Sequence, residues 1–108
     1  MKRVFICSPF AADPYRNVKN ALMYCREAVL QGYAPYAPHA YLPQALDDTN
    51  PEERILGMVA GMSFLDTCDE LWAFYDEAPS DGMQLELSAA GSLGKTIKRF
   101  SANGSPKQ

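Results

Sequence analysis

The pattern of apolar and polar positions changes period several times along the chain. Lys2 to Ser8 (KRVFICS) is a short apolar run closed by Pro9, the signature of a buried strand. From about Asp13 the period lengthens. Val18, Ala21, Leu22, Cys25 and Val29 fall on one helical face, and Gly32 supplies the stop. Tyr33 to Tyr36 reads as a second strand, shortened by Pro35 and Pro38. The segment APHAYLPQALDDTN is a long structured loop with room for one helical turn. Asn50 offers an N-cap, Pro51 suits the first helical position, and Glu52 and Glu53 favour the positive helix end. Ile55, Met58, Val59, Met62 and Leu65 make the expected apolar stripe of that helix. Glu70 to Tyr75 (ELWAFY) is the third predicted strand. A helix capped by Ser80 or Asp81 follows and ends at Gly94, and Lys95 to Phe100 completes the set.

Strand and helix therefore alternate as β-α-β-α-β-α-β, which indicates a parallel sheet covered by helices on its faces. The expected strand order is 2-1-3-4, all parallel, in one α/β domain over residues 1–100. The closing SANGSPKQ, residues 101–108, has nothing to bury and is expected to be a flexible tail. In such sheets ligands bind beyond the carboxyl ends of the strands. That rim carries Ser8, Pro9 and Phe10, the loop from Pro38, and the segment from Asp76 to Gly82.

Composition narrows the classes. A chain of 108 residues with 47% hydrophobic and 21% charged residues has a globular balance, not that of a disordered, collagen-like or coiled-coil chain. No apolar run is long enough to span a bilayer or to serve as a signal peptide. A net charge of −3 gives no sequence-wide basis for gripping a nucleic-acid polymer. Three cysteines without CxxC spacing and a single histidine make a poor metal set, and they fit a reducing cytoplasm. Neither a metal nor a cofactor is expected.

Among the rim residues, Glu86 stands on or beside the apolar face of its helix, where a carboxylate must be paired or line a cavity. The other reading is a surface glutamate on a helix face misplaced by one residue. Ser80-Asp81-Gly82 is either a simple cap or an anion-attracting helix start. His39, in APHAY, is a candidate general acid or ligand-contacting group, or a loop histidine satisfying a backbone carbonyl. Phe10 and Tyr41 are the aromatics best placed to stack on a base. Asp47-Asp48 reads as an exposed acidic turn. Asp69 precedes its strand, so it belongs to a structural turn at the opposite edge of the sheet.

FICSPF, NALMYCREAVLQGYAPYAPHAYLPQALDD, PEER, CDELWAF and SDGMQLELSAAGSLGK together resemble a small uncharacterised bacterial and phage family. That family is similar to the nucleoside 2-deoxyribosyltransferases and the deoxynucleoside monophosphate N-glycosidases. The link rests on the strand-1 loop, the spacing of Leu65, Cys68 and Asp69, and the Ser-x-Gly-x-x-x-Glu pattern of Ser80, Gly82 and Glu86. The resemblance implies a three-layer, flavodoxin-like (Rossmann-like) sheet and a glutamate that attacks the anomeric carbon of a sugar. Carried over, Glu86 is the nucleophile, and Ser80, Gly82 and Met83 contact phosphate or sugar. Ser8, Pro9 and Phe10 border the base. It also implies a nucleoside or nucleotide ligand and a homodimer or higher homo-oligomer. Two positions depart from the pattern. Gly61 stands where those enzymes have an aspartate, eight residues before Asp69, and Val4 and Phe5 stand where they have a strand-1 tyrosine. His39 and Asp76 are the groups left to protonate or orient a leaving base.

Overall fold

The computed structural model describes residues 1–107. Four strands, β1 (Lys2–Cys7), β2 (Tyr33–Tyr36), β3 (Glu70–Phe74) and β4 (Thr96–Phe100), form one sheet in the order β2-β1-β3-β4. Every pairing is parallel, as expected from the alternation of periods. The helices are α1 (Pro14–Leu30), the single turn α2 (Leu42–Ala45), α3 (Pro51–Ser63) and α4 (Asp81–Ser92). Short 3-10 turns, Pro38–Ala40 and Leu65–Thr67, fill the connections. Asn50 caps α3 by accepting from Glu52 N and Glu53 N, and Ser80 caps α4 by accepting from Met83 N. Gly32 and Gly94 end α1 and α4 with φ of 88° and 70°, a backbone that a side chain would strain.

Side chains alternate across the central strands and so feed two cores. Val4, Ile6, Trp72 and Phe74 pack with Tyr24 and Ala28 of α1. Phe5, Cys7, Leu71 and Ala73 pack on the other face with Leu65, Met83 and Ala90. This three-layer α/β arrangement places the carboxyl ends of β1 and β3 beside the start of α4.

Two expectations need correction. The buried residues of α1 are Ala21, Tyr24 and Ala28, whereas Leu22 and Val29 are exposed. Tyr24 decides this rotation by stacking on Phe74 at 3.7 Å between ring centroids. Only Gly61 of α3 is buried, and Ile55 and Val59 are exposed; α3 packs beside α2 and α4 rather than flat on the sheet. Residues 101–107 form a segment that returns along the body. Ala102 N donates to Asp76 Oδ1 at 2.9 Å, Lys107 N donates to Arg99 O, and Pro106 bridges to Phe100. Hydrogen bonds hold it where apolar burial does not.

Candidate functional site

The carboxyl-end rim encloses a cavity of about 300 Å³, at the small end of the range for small-molecule sites. Ser8 to Ala12 form one wall, and Pro38, His39, Leu42 and Leu46 form another. A third wall comes from α3 through Arg54, Gly57, Met58 and Gly61. Ser80, Asp81 and Gly82 close the site at the start of α4, with Glu86 one turn further in.

Glu86 is 2% exposed. Its Oε2 lies 2.9 Å from His39 Nε2, while its Oε1 makes no protein hydrogen bond. Burying a carboxylate with half of its acceptors unused costs several kcal/mol in an apolar core, about 1–3 for an unmade hydrogen bond alone. Such a group persists where the fold is built around a ligand or a reaction. Ser8 Oγ, at the end of β1, is likewise buried and without a partner. The helix start supplies positive dipole nearby.

The His39 ring is also largely buried, and burial alone would lower its pKa. The hydrogen bond and charge of Glu86, with the charge of Asp48, outweigh that and raise it above the ordinary histidine value. With the carboxylate ionised, Nε2 must carry the proton, because the carboxylate only accepts. Beneath the pair, burial first and then the Glu86 charge push the Cys7 thiol well above its ordinary range. The thiol donates to Met83 O at 3.8 Å. Cys7 is thus a packing residue, not a thiolate.

Of the residues singled out from the sequence, Ser8, Pro9, Phe10, His39, Ser80, Gly82 and Glu86 meet in this one cavity. Asp76 and Met83 do not line it. They line a second hollow of about 260 Å³ that shares Ser8, Pro9 and Ser80 with the first. Asp76 is engaged there by Ala102 N and Lys107 Nζ, so its position is fixed by the returning chain end. Tyr41 is turned away and donates to Tyr36 Oη at 3.0 Å. Asp69 sits at the far edge, accepting from Arg3 N at 2.8 Å. Asp48, read as an exposed turn, is half-buried and contributes to the wall. Arg54 escaped the sequence reading although a signal was present: residues 54, 57, 58 and 61 share a helical face with two glycines, as a wall facing a ligand would. Arg54 is the one lysine or arginine in the lining. Among the described residues, no group of three or more His, Cys, Asp or Glu side chains converges to hold a metal ion.

The fold is similar to that of two solved structures. One is the 2-deoxyribosyltransferase from the psychrotolerant bacterium Bacillus psychrosaccharolyticus, at TM-score 0.68 and 20% identity over 98% of this chain and 77% of that one. The other is the Clostridium botulinum CMP N-glycosidase BcmB, at TM-score 0.58 and 19% identity over 93% of this chain and 71% of that one. The resemblance seen in the sequence is thereby borne out as a nucleoside deoxyribosyltransferase-like α/β fold. The chain belongs to the family described as a domain of unknown function (DUF7768), whose profile matches residues 2–100. No curated protein sequence matches it. Among the described residues, no helix is long and apolar enough to cross a membrane.

Proposed function

We propose that the protein binds a nucleoside or nucleotide in the 300 Å³ cavity and cleaves or transfers its N-glycosidic bond through Glu86. The observation that carries this reading is the buried carboxylate with one oxygen held by His39 and the other unpartnered. A carboxylate so placed splits glycosidic cleavage into two displacements. In the first, Oε1 bonds to the anomeric carbon as the base departs with the bonding electrons; in the second, water or another base releases the sugar. Both structural relatives bear names that describe chemistry at this bond. Ser8, Pro9 and Phe10 border the base. Ser80 and Gly82, at the start of α4, with Ser8 Oγ, suit a sugar hydroxyl or a phosphate. Met83 and Asp76 reach the ligand only if it extends into the second hollow. No metal or cofactor enters the chemistry.

A second reading is a binding domain of the same fold without turnover. Gly61 and Phe5 favour it, because neither supplies an acid or a hydroxyl to the leaving base. Chromatography for free base, run on wild type and Glu86→Gln with (deoxy)nucleosides and their monophosphates, decides between them. Base release that the substitution abolishes supports the enzyme, whereas nucleotide-dependent thermal stabilisation without base release supports the binding domain.

The partner set follows the same reading: a small molecule, neither nucleic-acid polymer nor membrane, and a second copy of the chain. Exposed Ile55, Leu56 and Val59 on α3 and Leu85 on α4 suit a homodimer in the cytoplasm. Light scattering showing only monomer at tens of micromolar would remove the dimer from the proposal.

A further inference from the structure

We propose that His39 is the positioning residue for the Glu86 carboxylate: its Nε2–H holds Oε2 and leaves Oε1 as the attacking oxygen, and the close approach of Gly61 to Pro38 sets the histidine in place. This rests on the reading of Glu86 as nucleophile.

A carboxylate on a flexible two-methylene stem attacks efficiently only if one oxygen is held near the reacting carbon. The helix holds Glu86 at its Cα, and the buried Cys7 thiol is close enough to feel its charge. Anchoring at the Cα alone leaves the carboxylate plane free to rotate. The 2.9 Å contact from His39 fixes that rotation. It crosses from a different element, the 3-10 turn that follows β2, and joins residues 47 apart in the chain.

That turn is itself pinned. Pro38 is buried, and a Cβ built on Gly61 would lie 3.2 Å from Pro38 Cβ and 3.5 Å from its Cγ. Any side chain at position 61 therefore pushes on a stiff proline ring whose next residue is His39. Gly61 is the only buried residue of α3, so it marks the point where that helix comes closest to the turn. The glycine takes no part in the chemistry. It fixes how near the histidine can come.

During the first displacement Oε1 donates an electron pair to the anomeric carbon. The C–N pair leaves with the base, which takes its proton from water. Oε2 becomes the carbonyl oxygen of the ester and still accepts from His39 Nε2–H, so the histidine moves no proton.

The test measures kcat and KM for base release alongside thermal melting of each variant. His39→Phe keeps a ring and removes the donor; His39→Gln restores an N–H at similar reach. We expect His39→Phe to lower kcat by about 10- to 100-fold, the scale of a misplaced reacting group, with KM within about threefold. His39→Gln should recover most of the loss. Gly61→Ala should lower kcat several-fold in the same sense, with an unchanged melting transition showing that the fold survives. Wild-type kcat in His39→Phe, a loss confined to KM, or His39→Gln no better than His39→Phe overturns the inference. If Glu86→Gln releases base as fast as wild type, or wild type releases none, the nucleophile reading falls and takes this one with it. Loss in Glu86→Gln without loss in His39→Phe removes only the positioning role.

Discussion

Two buried carboxylates stand at opposite edges of the same sheet, and the fold treats them differently. Glu70 opens β3 at the amino-terminal edge. Its Oε1 accepts from Trp72 Nε1 at 2.9 Å and lies 3.2 Å from Lys98 Nζ. Its Oε2 accepts from Tyr33 Oη at 3.0 Å, with Lys2 Nζ at 3.7 Å. Glu86 lies by the carboxyl-terminal edge with one histidine on one oxygen and nothing on the other. Burial would raise the pKa of Glu70, but the bonds from Trp72, Lys98 and Tyr33 hold it below the ordinary value. A carboxylate satisfied on every side has no acceptor left for a substrate and serves the fold. One left half-satisfied beside a cavity is unexplained by stability and fits chemistry.

The sharpest break between them is in activity. Under the proposed reading, Glu86→Gln should lower base release by about 10³-fold or more, since loss of a nucleophile removes the whole covalent route. Its stability should stay within about 1 kcal/mol of wild type, because the lost pairing with His39 is offset by relief of a buried, partly unpaired charge. Glu70→Gln should do the opposite. An amide has one accepting oxygen, so either Trp72 and Lys98 or Tyr33 and Lys2 would face its NH₂. We expect a loss of about 2–3 kcal/mol in urea denaturation with nucleotide affinity unchanged. Loss of activity in the Glu70 variant at full folding would break the comparison.

pH separates the two in opposite directions. His39 has a folded pKa above its ordinary 6.5. Its pairing with Glu86 therefore contributes stability below about pH 6.5, and that contribution is lost as pH rises through the raised value. Glu70 has a folded pKa below its ordinary 4.5. Its contribution is present above that value and is lost as pH falls through the lowered one. Urea midpoints measured from pH 3 to pH 9 should decline at both ends. His39→Gln should flatten the alkaline decline, and Glu70→Gln the acidic one. An alkaline limb that persists unchanged in His39→Gln would show that the pair is not what titrates there.

The sequence was most readable where one period controls one element. The strands, their parallel order and the caps at Asn50 and Ser80 follow from alternation, proline and glycine, and short polar side chains. Reading failed where a tertiary contact outranked the local pattern. Tyr24 turns α1 because its ring stacks on Phe74, and α3 leaves Ile55 and Val59 exposed because it packs on neighbouring helices rather than on the sheet. At the site, Glu86 was visible from its inward position and its spacing from Ser80. Its contact with His39 was not, since it depends on two elements meeting at a glycine. Glu70 looked like the first residue of a strand, and its four partners come from all four strands of the sheet.

The smallest expected effect concerns that glycine. In the interior of α3, Gly61→Ala should gain up to about 1 kcal/mol from helix propensity. The new methyl must also displace Pro38 by a few tenths of an ångström from a 3.2 Å contact, and a tight core position opposes such a change by a similar amount. The two terms nearly cancel, so the urea midpoint should move by less than about 0.5 kcal/mol in either direction. Gly61 touches the Glu86 side of the molecule only. The aromatic environment of Trp72, which lies 4.8 Å from Tyr33 and holds Glu70 at the other edge, should therefore give an unaltered near-ultraviolet circular dichroism signal. A changed tryptophan signal would mean that the two edges are mechanically linked through β3, and that the two carboxylates are not independent. A destabilisation beyond about 2 kcal/mol would mean that Pro38 cannot yield at all, so that Gly61 is required for folding before it is required for placing His39.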